Sequence, residues 1–276
     1  MILIRIHPSA PVQMLSALAF VAAASVTALA TMSAQTPPRI PRSDAASVAL
    51  NVARPPLSFE PNLGQAGEEV RYLARASGGM LFFMPSEVVF ARYEPSQTED
   101  ATRHDTDVTD VSVTVSAVHL QFIEANANPH IRADEPLPGK VNYLLGNDPR
   151  KWRTNLPTFA GLTYSALYPG IDLSYKGEPG QLKGTYVVAP GSNPQHIRWR
   201  YKGARGVKVD AGGNLQIVLA SGSIMTEERP FAWQELASGR IEVDVGYILF
   251  SDGTIGFLLG EYEPAFPLTL DPALVY

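Results

Sequence analysis

From Leu57 onward, apolar and polar residues alternate with a period of two, in short runs cut by Gly and Pro. That is the pattern of strands with one buried face. Val70–Ala74 and Met80–Met84 predict a strand pair joined across Ser77-Gly78-Gly79, with a third strand over Glu87–Tyr93. Val111, Val113 and Val115 share one face, whereas Val118, Leu120 and Phe122 are out of phase with them. A β-bulge or a break between two strands is therefore expected near Ser116-Ala117. In the second half, "IDLSY" places Ile171, Leu173 and Tyr175 on one face, and "IRWRYK" does the same for Ile197, Trp199 and Tyr201. "VKVDAGGNLQIVL" reads as a hairpin turned by Ala211-Gly212-Gly213-Asn214. "IEVDVGYILF" alternates from Ile241 to Leu249, and "SDGTIGFLL" turns at Asp252-Gly253. Asn193-Pro194 offers a cap and a first helical position, enough for one turn. The fold class expected is all-β, antiparallel sheets packed as β-sandwiches in two lobes, with almost no helix.

The beginning of the chain breaks this pattern. Met14 to Met32 carries no charge, follows Arg5 and His7, and leads into small residues and "QTPPRIPRS". That order describes a secretory signal peptide over residues 1–34, cleaved after Ala30 or Ala34. An uncleaved anchor is the bland alternative, against which the Ala-, Ser- and Thr-rich composition speaks. Residues 35–56 read as a flexible lead-in, 57–135 as an N-terminal β lobe and 136–276 as a C-terminal one. Export to the periplasm, outer surface or exterior is the expected location. There is no cysteine, which excludes disulfides, zinc–thiolate sites and a Cys nucleophile. The net charge of −5 gives no electrostatic case for nucleic acid.

Candidate chemistry is sparse. His104, His119, His130 and His196 lack metal-ligand spacing, and His119 is expected to face solvent. "SGSIM" (Ser221–Met225) lacks the nucleophile-elbow frame. Asp172 with Glu178, or Glu227 with Glu228, could supply a carboxylate pair, though spacing alone cannot place them across a cleft. Asp105, Asp107 and Asp110 lie in a polar stretch, Pro95–Asp110, that reads as a surface loop rather than a calcium site. The one local basic feature is a stripe of Arg198, Arg200 and Lys202 on the face opposite Trp199 and Tyr201. It is either a ligand-facing surface for an anionic polymer or the wet face of a sheet. No catalytic residue, metal or cofactor is assigned.

The densest polar segment, "GKVNYLLGNDPRKWRTNLPTF" (Gly139–Phe159), raises the choice between an active-site loop and a rigid connector. Asn147-Asp148-Pro149 is turn chemistry. Trp152 is suited to anchor a turn, and the flanking cations can lie along the surface. Physical chemistry favours the connector.

Five ordered blocks carry a resemblance: "FEPNLGQAGEEVRYLAR" (Phe59–Arg75), "PLPGKVNYLLGNDPRKWRTNLPTF" (Pro136–Phe159), "LYPGIDLSYKG" (Leu167–Gly177), "YVVAPGSNPQHIRWRYKGA" (Tyr186–Ala204) and "PLTLDPALVY" (Pro267–Tyr276). Together they resemble the N-terminal domain of bacterial SBBP-type β-propeller repeat proteins, a domain similar to one in secreted gliding-motility-associated proteins. The resemblance implies an exported, β-rich, non-catalytic module of unknown function. It also implies a hinge into propeller repeats at "DPALVY". It transfers no site residue. One departure is Lys183-Gly184-Thr185-Tyr186, where the family has an acidic, aromatic run. The functional expectation is a scaffold or adhesion-type module of the cell envelope, with an envelope polysaccharide or a β-propeller domain as partner. A carbohydrate-binding module is the alternative, and a glycoside hydrolase the lesser one.

Overall fold

The computed structural model describes residues 56–76, 78–95, 113–144 and 146–275. Residues 1–34, read above as a signal peptide, all but the last residue of the 35–56 lead-in, and the Asp105–Asp110 stretch lie outside them. Among the described residues nineteen strands, β1 to β19, join in one antiparallel hydrogen-bonded network that is nearly closed as a barrel. Helix is limited, among the described residues, to two single 3-10 turns, Pro149–Lys151 and Pro194–His196. The all-β expectation therefore holds. Separately stacked sandwich sheets do not emerge, because every strand finds a partner within the same network.

The first wall is a meander: β1 (Phe59–Pro61), β2 (Tyr72–Ala76), β3 (Gly79–Phe83), β4 (Glu87–Pro95) and β5 (Val113–Phe122) pair in sequence order. Chain-distant pairings extend it. β1 meets β7 (Arg153–Tyr168) at Phe59↔Phe159, and β5 meets β10 (Trp199–Lys202). The other wall runs from β6 (His130–Tyr143) through β7 and β8 (Ile171–Glu178) to β9 (Gln181–Val188). β11 (Gly206–Val209), β12 (Leu215–Val218) and β13 (Ile224–Glu227) follow as a meander. So do the hairpins of β14 (Phe231–Leu236) with β15 (Gly239–Val243), and of β16 (Val245–Leu249) with β17 (Ile255–Leu259). Finally β18 (Leu268–Asp271) ties β9 to β14, and β19 (Ala273–Val275) ties β9 to β13.

The main core draws inward-facing residues from Leu57 to Leu274 and is dense in aromatic rings. Phe83 and Tyr175, Phe122 and Tyr164, and Trp199 and Phe257 meet at centroid distances of 5.6, 5.6 and 5.1 Å. Offset and edge-on contacts of this kind add to the area each ring buries. The alternation read in "IDLSY" and "IRWRYK" is the alternation seen, with Ile171, Leu173, Tyr175, Ile197, Trp199 and Tyr201 all buried.

Three details differ from the sequence reading. β5 pairs with β4 without a register shift from Glu87↔Gln121 to Pro95↔Val113, so there is no bulge at Ser116-Ala117. The phase change has another cause. Val115 and Ala117 pack on a second apolar cluster, with Val70, Met80, Phe82 and Val89, on the outer side of the same sheet. Second, the alternating run Ile241–Leu249 is split at Asp244, because its first half pairs with β14 and its second with β17. Third, the Pro136–Phe159 segment is mostly strand, within a long β6–β7 hairpin. Pro136 and Pro138 sit in β6, which pairs only with β7 and so tolerates residues that cannot donate.

Two glycines of the "LYPGIDLSYKG" block are required by geometry. Gly170 turns β7 into β8 at φ 70°. Gly177 lets the strand pass Leu57, whose carbonyl oxygen would lie 2.3 Å from an added Cβ. Gly177→Ala is expected to destabilise by about 1–3 kcal/mol through overpacking, seen as a lower Tm with the strand content retained.

Candidate functional site

Glu60 on β1 is 1% exposed; it accepts a 2.6 Å hydrogen bond from the Tyr143 hydroxyl and lies 3.5 Å from Arg75 Nε. The Arg75 guanidinium also covers the Tyr143 ring at 4.8 Å. Burial first, then the hydrogen bond to Glu60, pushes the Tyr143 hydroxyl well above the usual phenol range. This clasp binds the "FEPN" strand to the end of the β6–β7 hairpin. Beside it, the Asn62 side chain donates to Gly67 and Val70 carbonyls at 2.8 and 2.9 Å and accepts from Gly64 and Ala66 N–H groups. The polar residues of this block therefore hold a loop shut. Tyr143→Phe strands the buried Glu60 oxygen and is expected to cost about 1–3 kcal/mol in urea unfolding.

The Gly139–Phe159 segment is used in the same way. Asp148 caps the Pro149–Lys151 turn, accepting from the Arg150 N–H at 3.1 Å and pairing with the Arg150 guanidinium at 3.0 Å. Trp152 donates its indole N–H to the Gly146 carbonyl at 3.1 Å. Arg153 Nε donates to the Leu63 carbonyl at 2.8 Å, and Asn142 Oδ1 accepts from the Asn155 N–H at 2.8 Å. These bonds make a rigid turn, which is the connector reading.

The basic stripe lies on the outer face of β10 and the residue before it, as its alternation requires. Its three cations differ. The Arg198 guanidinium stacks on Phe250 at 3.6 Å, donates to Thr254 and pairs with Asp252 at 3.5 Å. Arg200 and Lys202 are exposed and form no ion pair among the described residues. Across the ladder, Lys202 is opposite His119 and Arg200 opposite Gln121. Glu87 accepts from Gln121 and lies 3.1 Å from His119 Nδ1. His119 is thus on the outer face, but it is partly buried against Glu87 rather than free in solvent as expected. Its hydrogen bond is the main reason the Glu87 carboxyl is held below its usual range, with Lys202 a lesser one. The stripe is interleaved with acids rather than gathered into one positive field.

The remaining candidates are separated by the fold. Asp172 accepts from the Ala166 N–H at 2.6 Å, bracing a left-handed residue in β7. Ser221 and Ser223 share a hydrogen bond on an exposed turn. Glu228 is exposed, whereas neighbouring Glu227 points into the barrel. There Glu227 accepts from the Tyr201 hydroxyl at 3.1 Å. It lines a cavity of about 20 Å³ with Tyr175, Tyr186 and Trp199, room for about one water. Desolvation pushes its carboxyl up to about 7. Trp199 Nε1–H, buried on the same cavity, has no protein acceptor among the described residues. The sequence reading put Tyr201 on a buried face but gave Glu227 only as a carboxylate beside Glu228; that Glu227 is buried and meets Tyr201 was not legible, since they lie on strands that are not paired. Among the described residues, no group of three or more His, Asp or Glu is placed to hold a metal ion.

An open groove of about 540 Å³ lies between the β14–β15 hairpin and the segment after β17. Leu236, Ile241 and Val243 of the β14–β15 hairpin form one wall, and Glu261, Tyr262 and Glu263 the other. Gln234, 3% exposed, fixes the second wall by donating to the Glu263 carbonyl at 2.9 Å and accepting from its N–H at 2.8 Å. Both carboxylates stand on one wall facing an apolar one. The sequence reading missed this groove because its walls are far apart in the chain and Glu261 and Glu263 follow the last residue of β17.

These features define an all-β antiparallel sheet, nearly closed as a barrel, whose conspicuous polar segments secure loops and strand joints. Residues 59–273 match the family described as Domain of unknown function (DUF7948), and the chain belongs to that family. No curated protein and no solved structure is significantly similar to the chain. Lys183 and Thr185 both bond Asp271 of the "PLTLDPALVY" block, at 2.9 and 3.1 Å, and Gly184 donates to the Pro272 carbonyl.

Proposed function

We propose that the chain is an exported, non-catalytic module of the bacterial cell envelope or exterior, with a scaffold or adhesion-type role, normally preceding a β-propeller repeat region. The observation that carries this reading is how its reactive groups are used. Glu60, Asp148, Asp172 and Asp271 all bond structural partners, and Glu227 is sealed inside the barrel. The open groove sets two acids on one wall against hydrocarbon, whereas glycoside hydrolysis needs carboxyls facing each other across the scissile bond. The signal-like segment and the block-by-block resemblance supply the export and propeller parts. The test is fractionation of cells expressing the full chain, with mass spectrometry of its N-terminus. A mature N-terminus near Thr31 or Gln35 outside the inner membrane supports the reading, and an intact Met1 in the cytoplasm overturns it.

Carbohydrate binding is the second reading, favoured by Phe231 and Trp233 on the outer face of β14, with ring centroids 5.5 Å apart. Arg240 covers a Trp233 face at 4.9 Å, which leaves Phe231, 40% exposed, as the better stacking surface. Retention on insoluble polysaccharides that is lost with Phe231→Ala would favour this reading; no retention would remove it.

A further inference from the structure

Two of the exposed surfaces are complementary. The first is the groove. Its apolar wall and floor are Leu236 and Ile241, with Ile241 46% exposed and Val243 buried behind them. Its rim carries Glu261 and Glu263, which form no ion pair among the described residues. An exposed apolar floor with an uncompensated acidic rim calls for an occupant that is apolar and basic.

The second surface is the tip of the β6–β7 hairpin. Leu144 is 54% and Trp152 37% exposed, just beyond the Tyr143↔Arg153 register pair. Leu63, 55% exposed, adjoins them through the Arg153 bond to its carbonyl. Between Gly139 and Phe159 there are four cations, Lys140, Arg150, Lys151 and Arg153, and one acid, Asp148. The cap on Asp148 and the Trp152 bond to Gly146 tie the Gly146–Trp152 turn together, which lowers the order that has to be gained on docking. Trp and Arg are the residue types that most often anchor an interface.

The two surfaces are at opposite ends. β7 leaves the hairpin tip at Arg153 and runs sixteen residues to Tyr168. There the β7–β8 turn at Gly170 accepts from Ala189, and Gly191 in turn donates to Pro264 of the segment that walls the groove. A tip therefore cannot reach the groove of its own molecule, but it can reach that of the next.

We propose that the acidic, apolar groove receives the Asp148–Arg153 turn of a second copy, with Trp152 seated against Ile241 and Leu236 and Lys151 facing Glu261 and Glu263. The contact is heterologous, so it propagates head to tail rather than closing as a two-fold dimer. This goes beyond the reading of the chain as a scaffold module, because it names what one module holds.

The test is sedimentation velocity of the purified chain over a wide concentration range, at low and high salt. The expected result is a mass that rises with concentration past the dimer, and rises less at high salt. Trp152→Ala, and separately the pair Glu261→Lys with Glu263→Lys, should each weaken self-association at least about tenfold. The first variant keeps its groove and the second keeps its tip, so a mixture of the two should form a dimer that grows no further. A chain that stays monomeric throughout, or variants that associate as the parent does, overturns the proposal. So does a mixture that stays monomeric. Thermal unfolding of each variant establishes that it is folded, with Leu144→Asp as the substitute tip variant.

Discussion

Glu227→Gln is expected to stabilise the protein at pH 8 by about 3 kcal/mol and to change it little at pH 4.5. The Glu227 carboxyl ionises near 4.5 when solvated, but burial in the barrel pushes it up to about 7. Between those values the folded protein keeps a proton that the unfolded chain has released. Stability contributed by this group is therefore full below about pH 4.5, falls as pH rises toward 7, and is lost above it. Gln keeps an oxygen for the Tyr201 hydroxyl and carries no charge, so it removes this slope. Urea unfolding of both proteins at pH 4.5, 6 and 8 measures it. A wild-type curve with no more slope over this range than the variant's would show that the carboxyl is solvated in the folded state.

The second large effect is at Trp199. Its ring is 2% exposed and lies 5.1 Å from Phe257 and 6.1 Å from Tyr247. Its strand is the joint between β5 and β17. Trp199→Ala should cost about 3–5 kcal/mol, the range for emptying a packed indole site. Trp199→Phe keeps a ring in the stack and removes the buried N–H that has no protein acceptor among the described residues, so it should cost less than half as much. Chemical denaturation at pH 5 separates the two, and equal losses would show that the N–H, not the packing, supplies the stability.

Strands with a clean period of two were legible, since each has one buried face. β8 and β10 are read correctly from "IDLSY" and "IRWRYK", and the 3-10 turn at Pro194 follows from its Asn193 cap. Reading failed where both faces were buried or where the partner changed. Val115 and Val118 both pack on apolar clusters, so a straight strand mimics a bulge. The Ile241–Leu249 run looks continuous because alternation reports faces, not neighbours. The long hairpin β6–β7 was hidden by prolines that an edge strand accommodates. At the level of sites, the Arg198, Arg200 and Lys202 face was legible. That Arg198 is spent on Phe250, Thr254 and Asp252 was not, because those residues are far along the chain from it.

The order in which this barrel can be completed is written into its last two strands. β18 and β19 are what β9 shares with β14 and β13, so those walls have nothing between them until Leu268–Val275 exist. During synthesis the N-terminal meander can form while β9 presents an open edge, because its partners are about 85 residues later in the chain. A product ending before Leu268 would keep that edge exposed permanently, and unpaired edges nucleate aggregation. The segment Leu268–Val275 thus acts as a latch: the barrel remains threadable and unfinished until that segment arrives, and then closes.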